Sequence, residues 1–189
     1  SLADAIRDYG LDPSNIARAR VDADAIGYVE FHIEQGPVLA GLGVPLAVVD
    51  AIAGLSRFTM TFTGSANHAG TTPMRARRDA LAGAAEWIGR VESLARDTRG
   101  LVATVGRITA VPGAANVIVG RCEVSLDVRH GHDAARVAAV ATLLDEARRI
   151  ASRRGLDVDW DTMLDQSSVA MNPALVATLE RAVHARGLP

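Results

Sequence analysis

The segment Arg57-Phe58-Thr59-Met60-Thr61-Phe62-Thr63 decides the fold, because its residues alternate between apolar and polar types. Successive side chains of a β-strand point to opposite faces, so this alternation predicts a strand with one buried and one exposed face. The apolar face holds Phe58, Met60 and Phe62, and the polar face holds threonines. The segment is therefore predicted to lie in a sheet whose apolar side packs on a core.

Three later segments are predicted to be strands of the same sheet. They are Leu101–Ile108, Arg121–Arg129 and Leu156–Thr162. The last two alternate cleanly between apolar and polar residues. Their inward positions are Cys122, Val124, Leu126 and Val128, and then Leu156, Val158 and Trp160. Each of these strands therefore has one apolar face.

Two amphipathic helices separate the strands. The first is predicted to begin with Thr72 as its cap and Pro73 at its first position, and to end at Gly100. The second is predicted to be capped by Asp133 and stopped by Gly155. The apolar stripes at helical spacing are Leu81, Ala84, Ile88, Val91 and Ala95 in the first helix, and Val137, Val140, Leu144, Ala147 and Ala151 in the second.

The resulting order, β-α-β-β-α-β, predicts a ferredoxin-like α+β domain over residues 54–167. Because each strand has a single apolar face, both helices are expected to cover the same side of one antiparallel sheet. The other side of the sheet is expected to stay polar. A compact module of this kind between two different flanking segments suggests a lid.

The flanking segments are predicted to belong to a separate α/β domain. Residues 1–53 contain two candidate strands without partners in that stretch, Tyr28–Ile33 and Pro45–Ala53, and residues 168–189 begin a second segment. The sequence opens at Ser1 without a methionine and stops directly after the helical run Pro173–Arg186. We therefore expect an interior segment of a longer protein.

Composition excludes several classes of function. Apolar residues make up 49% of the chain and the net charge is −2, so a packed core is expected and a nucleic-acid-binding surface is not. No apolar run approaches the roughly 20 residues that cross a bilayer. Cys122 is the single cysteine, which excludes an internal disulfide framework and fits a reducing, cytoplasmic location. Its inward position predicts a core role rather than a nucleophilic one.

Three short motifs carry residues suited to chemistry, and each also has a purely structural interpretation. His32, before Gly36-Pro37, can present a nitrogen to a metal or serve only as a hydrogen-bonding group. His68 lies in a loop of small and polar residues, which can bind an anion or simply precede a helix. Arg129 can bind a carboxylate through two parallel hydrogen bonds or form a surface ion pair with Asp127.

Together the motifs resemble the hydantoinase/carbamoylase family, within the zinc metallopeptidase–aminoacylase superfamily. The matching segments are His32–Leu39 (HIEQGPVL), His68–Met74 (HAGTTPM) with Arg78–Leu81 after it, Asn116–Ile118, and Asp127–Arg129. The similarity runs from about Asp22 to the end of the chain. Three motifs in one order are far more specific than any one alone.

The resemblance implies a set of roles for these residues. In such enzymes an α/β catalytic domain, to which residues 1–53 and 168–189 would belong, holds two divalent metal ions, zinc, manganese, cobalt or nickel. His32 matches one of their ligands. Gln35, His68, Asn116 and Arg129 match substrate-binding positions. The lid of such enzymes forms a homodimer, in which the residue corresponding to His68 reaches the partner's substrate and stabilises the developing oxyanion.

The sequence also departs from the family pattern. Val119 stands where the family usually has proline, which affects the stiffness of the loop. The family's other metal ligands and its general-base glutamate have no counterpart in this chain. His184 lies in the wrong context to replace a ligand, and His130 and His132 are predicted to be exposed to solvent beside a turn. The chain alone is therefore expected to be inactive and to hold no metal stably.

The resemblance implies hydrolysis of a ureido or linear amide C–N bond in a small carboxylate, with an N-carbamoyl-L-amino acid as the first candidate substrate. Allantoate hydrolysis and β-ureidopropionase activity fit the same motifs. A different class stays open as well, because a ferredoxin-like module can serve dimerisation without catalysis. An upstream set of metal ligands in the full-length protein would distinguish the enzyme from the module.

Overall fold

The structure, a computed structural model, describes residues 1–188. Its helices are α1 (Leu2–Asp8), α2 (Val38–Leu42), α3 (Ala80–Asp97), α4 (Asp133–Arg154) and α5 (Pro173–His184). Its strands are β1 (Ala51–Ile52), β2 (Gly54–Thr63), β3 (Val102–Thr104), β4 (Ile108–Val111), β5 (Arg121–His130), β6 (Asp157–Gln166) and β7 (Val169–Ala170). Short 3₁₀ helices cover Pro13–Ala19 and Met74–Ala76.

One antiparallel sheet forms the centre of the domain, with the order β3-β5-β2-β6 and β4 also paired to β5. The helices α3 and α4 cover its apolar face, as the alternation predicted. The core contains side chains with no exposed surface, among them Met60, Phe62, Trp87, Val124 and Leu126. The indole N–H of Trp87 on α3 donates to the carbonyl of Leu143 on α4 at 2.8 Å. The α+β, ferredoxin-like fold is therefore confirmed.

The predicted strand Leu101–Ile108 is wrong in detail, because the chain breaks it into β3 and β4. The break lies at Gly106 and Arg107, whose backbone N–H groups donate to the hydroxyl of Ser125 on β5 at 3.2 and 3.0 Å. The Ser125 hydroxyl thus accepts from both N–H groups at the break, while the N–H of Ser125 still donates to the carbonyl of Arg107 at 3.0 Å. Both short strands still pair antiparallel with β5.

The predicted start of the first helix is also wrong. The helix α3 begins at Ala80, and Asp79 caps it by accepting hydrogen bonds from the N–H groups of Leu81 and Ala82. Thr72 instead donates its hydroxyl to the carbonyl of His68 at 2.8 Å. The capping residue is seven positions later than predicted, and the intervening chain forms a loop with one 3₁₀ turn.

The second helix buries a different stripe from the one that hydropathy predicted. Asp133 is its first residue rather than its cap, and Val137 is 54% exposed. Arg136 is only 3% exposed and forms ion pairs with Asp133 and Asp165. The buried residues of α4 are Arg136, Ala139, Leu143, Ala147, Ile150 and Ala151. The buried stripe of α4 therefore lies about one position away from the predicted stripe. Hydropathy alone could not reveal this difference, because it places arginine on the exposed face.

The chain forms two compact units, and Val48–Val176 make up the larger one. In that unit the entry and exit of the sheet domain pair with each other, since β1 and β7 form a two-stranded antiparallel ribbon. Ala51 lies opposite Ala170, and Ile52 lies opposite Val169. The predicted strand Pro45–Ala53 is therefore reduced to β1, with a partner more than a hundred residues away.

The smaller unit comprises Ser1–Ala47 and the segment from Ala177 onward. The predicted strand Tyr28–Ile33 is wrong, because that stretch has no regular secondary structure. None of α1, α2 or the 3₁₀ helix Pro13–Ala19 has a buried residue. Phe31 is 95% exposed and Ile26 is 94% exposed. The predicted strand lacks a neighbouring strand with which its backbone could pair.

Candidate functional site

His68 lies on an exposed loop, and one local hydrogen bond fixes its ring. The backbone N–H of Gly70 donates to Nδ1 of His68 at 3.1 Å. Because a backbone N–H only donates, Nδ1 acts as the acceptor, and a neutral ring carries its proton on Nε2. The exposed imidazole can therefore offer an Nε2–H donor to a ligand. The loop therefore fixes both the orientation of the His68 ring and its tautomer.

Arg77 holds the loop that carries His68. Its guanidinium donates to the carbonyl of Ala69 at 2.6 Å and to the carbonyl of Thr72 at 3.1 Å. Arg77 is partly buried, so these bonds are shielded from full competition with water. Sequence analysis missed this residue, since an arginine between a turn and a helix gives no distinctive signal.

Asn116 belongs to a second loop that is joined to the first through the backbone. The N–H of Ala69 donates to the carbonyl of Asn116 at 2.9 Å, and the N–H of Ile118 donates to the carbonyl of Asn67 at 2.8 Å. His68 and Val117 thereby form an isolated antiparallel bridge. The side chains of His68 and Asn116 are both exposed. The structure thus brings together two of the predicted site residues that are far apart in sequence.

Arg129 is the last arginine of β5 and forms an ion pair on the polar face of the sheet. Its Nε donates to Oδ1 of Asp127 at 2.7 Å, and its Nη2 donates to Oδ2 at 3.3 Å. The guanidinium of Arg57 on β2 binds the same carboxylate, with Nη2 and Nε at 2.6 and 3.0 Å from Oδ2. Partial burial opposes ionisation of Asp127, but the bonds from Arg129 and Arg57 outweigh it and lower the pKa of this carboxyl.

The ion pair of Arg129 with Asp127 is the structural interpretation that the sequence left open. This ion pair engages only one edge of the guanidinium, and the Arg129 side chain remains 50% exposed. The bond from Asp127 raises the pKa of Arg129, so the group stays cationic. A carboxylate can approach the exposed edge while Asp127 holds the other edge.

His32 and Gln35 lie in the smaller unit, on an exposed stretch before α2. Nδ1 of His32 is 2.5 Å from the carbonyl oxygen of Ile33, which requires Nδ1 to carry the proton in a neutral ring. Nε2 is then free to accept, which is the arrangement that metal-ligating histidines usually have. Gln35 has a φ of +55°, a left-handed conformation that is uncommon outside glycine and often marks functional sites.

Glu34, between these two residues, has a structural role that sequence analysis missed. Its carboxylate accepts hydrogen bonds from the backbone N–H groups of Val38 and Leu39, at 2.8 and 3.0 Å. It therefore caps α2 and stabilises the turn through Gly36 and Pro37. An acidic residue four positions before a helix is the signal that could have identified this cap.

The residues that the structure describes do not by themselves form a metal centre. Within residues 1–188, no group of three or more histidine, cysteine, aspartate or glutamate side chains could hold a metal ion. His32 has the geometry of a single ligand, with Nδ1 engaged and Nε2 open. A metal bound through His32 would need further ligands from outside the chain.

The remaining histidines and the cysteine fall outside the candidate site. His130 is 8% exposed, so the prediction that it is solvated is wrong. Its Nε2 donates to the carbonyl of Arg99 at 3.1 Å, and its Nδ1 accepts from the N–H of His132 at 2.8 Å.

Cys122 is fully buried, and burial raises the pKa of its thiol, as a core position requires. His184 contacts the carbonyl of Glu180 within its own helix.

The sheet domain matches a known family. The model of the peptidase dimerisation domain family matches residues 51–157, which is more than half of the chain. Similar solved structures include a hydantoinase/carbamoylase family amidase from Burkholderia multivorans, with a TM-score of 0.81 and 38% identity. The match covers 84% of this chain and 39% of that one.

Curated relatives agree with this assignment. The chain is 38% identical to an N-carbamoyl-L-amino acid amidohydrolase of Geobacillus stearothermophilus, over 100% of its own length and 46% of the relative's. It is 37% identical to an allantoate amidohydrolase of Escherichia coli (strain K12), over 95% of its length and 44% of the relative's. The chain thus spans about half the length of these relatives.

The chain belongs to the peptidase dimerisation domain family, and its relatives place it within the hydantoinase/carbamoylase family of amidases. This family is a group of metal-dependent amidohydrolases. The resemblance inferred from the motifs is confirmed. Within residues 1–188, no helix is both long and apolar enough to span a membrane.

Proposed function

We propose that this chain is part of a metal-dependent amidohydrolase that cleaves a ureido C–N bond in an N-carbamoyl-L-amino acid. The reaction adds one water and releases the free amino acid, carbon dioxide and ammonia. The observation that carries the proposal is the joining of the His68 and Asn116 loops by backbone hydrogen bonds. This pairing brings two exposed polar side chains, an imidazole and a carboxamide, into neighbouring loops of the sheet domain.

His68 would stabilise negative charge on the substrate. With Nδ1 occupied by the N–H of Gly70, the neutral ring offers Nε2–H to the carbonyl oxygen of the ureido group. Charge grows on that oxygen as water adds, so the hydrogen bond strengthens in the transition state. Asn116 can donate from its amide nitrogen to the same substrate, because its side chain is exposed on the neighbouring loop.

Arg129 would bind the substrate's carboxylate. Its half-exposed guanidinium retains outward N–H donors while Asp127 fixes the opposite edge. Guanidinium groups match carboxylates with two parallel hydrogen bonds, which gives geometric as well as electrostatic selectivity. Gln35 would add a further polar contact, and its left-handed backbone supports a functional role.

His32 would be the chain's single metal ligand, through Nε2. A bound divalent metal pair would activate water and polarise the carbonyl oxygen of the substrate. The hydrogen bond of Nδ1 to the carbonyl of Ile33 fits this role, because it fixes the ring and leaves Nε2 unprotonated. The remaining ligands would come from other parts of the full-length protein.

The exposed apolar side chains of the smaller unit support the proposal that more chain surrounds them. Phe31, Ile26 and Tyr28 are 95%, 94% and 80% exposed, all within eight residues of His32. Large apolar side chains that are exposed at such close spacing in the sequence are normally covered by protein. The remainder of a catalytic domain would cover them, in agreement with relatives about twice as long as this chain.

Homodimer formation through the sheet domain is the second part of the proposal. The match to a dimerisation domain supports it, and β6 forms an open edge of the sheet. The single cysteine supports a cytoplasmic location. A dimerisation module without catalysis is the alternative from another class.

The decisive experiment is a substrate panel with the full-length protein, loaded with manganese, zinc, cobalt or nickel. Ammonia release is measured for N-carbamoyl-L-amino acids, allantoate and N-carbamoyl-β-alanine. Metal-dependent turnover of the first group supports the proposal, whereas a preference for allantoate supports the activity named for the Escherichia coli relative. Loss of all turnover on every substrate would favour the non-catalytic module. The 189-residue chain alone is expected to be inactive in the same assay.

Arg129→Lys in the full-length protein tests the carboxylate site separately. Lysine keeps the charge but loses the planar pair of donors. We expect kcat/KM to fall by the equivalent of about 1.5–3 kcal/mol, the usual worth of a hydrogen bond to a charged group. An unchanged kcat/KM would exclude this role for Arg129.

A further inference from the structure

Asp127 is bound from two sides on the polar face of the sheet. In the register of β2 and β5, Arg57 lies directly opposite Asp127. Arg57 donates to Oδ2 at 2.6 and 3.0 Å, while Nε of Arg129 donates to Oδ1 at 2.7 Å. Asp127 is the least exposed of the three side chains, at 22% against 45% for Arg57 and 50% for Arg129. The carboxylate is thus a fixed centre with a guanidinium on each side.

We propose that Arg57 is a positioning residue for Arg129, and that it acts through Asp127 without touching the substrate. The inference rests on the proposed function, in which Arg129 binds the substrate's carboxylate. Arg57 engages Oδ2 of Asp127, which leaves Oδ1 as the main acceptor for Arg129. The guanidinium of Arg129 is thereby held at one edge and presents its other donors outward.

Arg57 also determines the net charge of the cluster that it forms with Asp127 and Arg129. Asp127 and Arg129 alone form a neutral pair, which attracts an approaching carboxylate weakly. With Arg57 the three side chains carry a net positive charge, because two guanidinium groups face one carboxylate. An attractive potential at a binding surface lowers the apparent KM and depends on ionic strength.

A second pair on the same strand provides the comparison. Arg121 and Glu123 lie two residues apart on β5, as Asp127 and Arg129 do, and Nη2 of Arg121 is 2.6 Å from Oε1 of Glu123. Their partners across the sheet are Thr63 and Thr61, which carry no charge. The structure therefore places a second cation beside the pair that contains the motif arginine and leaves the other pair neutral.

Loss of Arg57 is not expected to unfold the domain. Its side chain lies on the polar face, away from the core cluster, and β2 pairs through its backbone with β5 along ten residues. Exposed ion pairs contribute little to the free energy of unfolding. Arg57→Met therefore isolates the effect of charge and orientation on Arg129.

The experiment measures KM and kcat of the full-length protein for an N-carbamoyl-L-amino acid as the sodium chloride concentration is raised. Arg57→Met is expected to raise KM about fivefold with kcat nearly unchanged, and to flatten the dependence of log KM on ionic strength. Arg57→Lys should restore the wild-type salt dependence, since it restores the charge. Arg121→Met is the matched control and should behave as the wild type.

The outcomes separate this inference from the proposed function. If Arg129→Lys raises KM while Arg57→Met leaves both KM and its salt dependence unchanged, the positioning role is wrong and the carboxylate site stands. If Arg57→Met and Arg121→Met raise KM equally, the effect is general surface charge and the inference is also overturned. If Arg129→Lys leaves KM unchanged too, the proposed carboxylate site itself fails.

Discussion

The backbone N–H of Gly70 donates to Nδ1 of His68 at 3.1 Å, within a loop where a side chain at position 70 would press against the imidazole. A Cβ atom at that position would lie 3.1 Å from Cε1 and 3.5 Å from Nδ1 of the imidazole. The first contact is tighter than ordinary van der Waals distance, so the ring would have to move. Glycine at this position therefore permits the close approach that sets the tautomer and direction of His68.

Gly70→Ala is expected to lower kcat of the full-length protein about tenfold, a part of the loss that follows complete removal of an oxyanion donor. The cause is displacement of the His68 ring rather than unfolding, because the loop is exposed. Steady-state kinetics and a thermal melt of the same sample give the two readouts. Gly131→Ala is the control, since a Cβ there meets nothing within 4 Å. Equal kcat for the two variants would contradict the argument.

Arg136→Met is expected to destabilise the sheet domain by about 1.5–3 kcal/mol, the usual worth of a hydrogen bond to a charged group. The guanidinium of Arg136 contacts Asp133, Asp165 and the hydroxyl of Ser56 while only 3% exposed. Its removal leaves carboxylates without their cation. Urea unfolding of the chain measures the effect. Arg149→Met, an exposed arginine on the same helix, should change stability by less than about 0.5 kcal/mol.

The same network predicts a loss of stability in acid. A backbone hydrogen bond from Ser168 lowers the pKa of Asp133, and bonds from Ser56 and Arg136 lower the pKa of Asp165. A carboxyl with a lowered folded-state pKa stabilises the fold above its unfolded pKa, near 4, and loses that contribution as pH falls through the folded value. Urea unfolding at pH 6 and pH 3 should therefore differ more for the wild type than for Arg136→Met. Equal differences would count against the network.

The sheet was predictable from sequence because period-two alternation reports burial directly. Phe58, Met60 and Phe62 are each at most 6% exposed, as their spacing required. The helix starts were not predictable in the same way. Thr72 and Pro73 look like a helix start, yet Arg77 binds the carbonyls of Ala69 and Thr72 and keeps this stretch as a loop.

Long-range contacts account for the other differences. The burial of Arg136 depends on Asp165, which is 29 positions away. The bridge between His68 and Val117 joins two loops whose separation in sequence carries no periodic signal. Motif resemblance identified these loops, but only the fold shows that they share backbone hydrogen bonds.

Dimerisation is predicted for the chain itself, because the chain contains the antiparallel sheet and its two covering helices. The edge strand β6 offers unpaired backbone groups for association, and the domain matches a dimerisation family. Light scattering coupled to size exclusion, across a concentration series, should give a mass approaching twice 19.8 kDa. A monomer mass that persists at the highest concentration would argue against association through this domain.

The last prediction is that His68 acts on the partner's substrate, as the resemblance to the family implies. In full-length protein, His68→Ala should lower kcat by about 10²–10³, the cost of a missing oxyanion donor. A second variant lacks the general-base glutamate, which lies outside this chain, and is nearly inactive as well. Each homodimer then has two defective sites.

Mixing the two variants distinguishes the two arrangements. If His68 acts across the dimer, the site with an intact base receives His68 from the base-deficient partner, and one good site per mixed dimer is rebuilt. Activity should then rise to about half of the wild-type value per mixed dimer, by counting intact sites. If His68 acts within its own protomer, each site keeps one defect and mixing restores nothing. Co-expression with two affinity tags isolates the mixed dimer, and a wild-type pair carrying the same tags sets the reference activity.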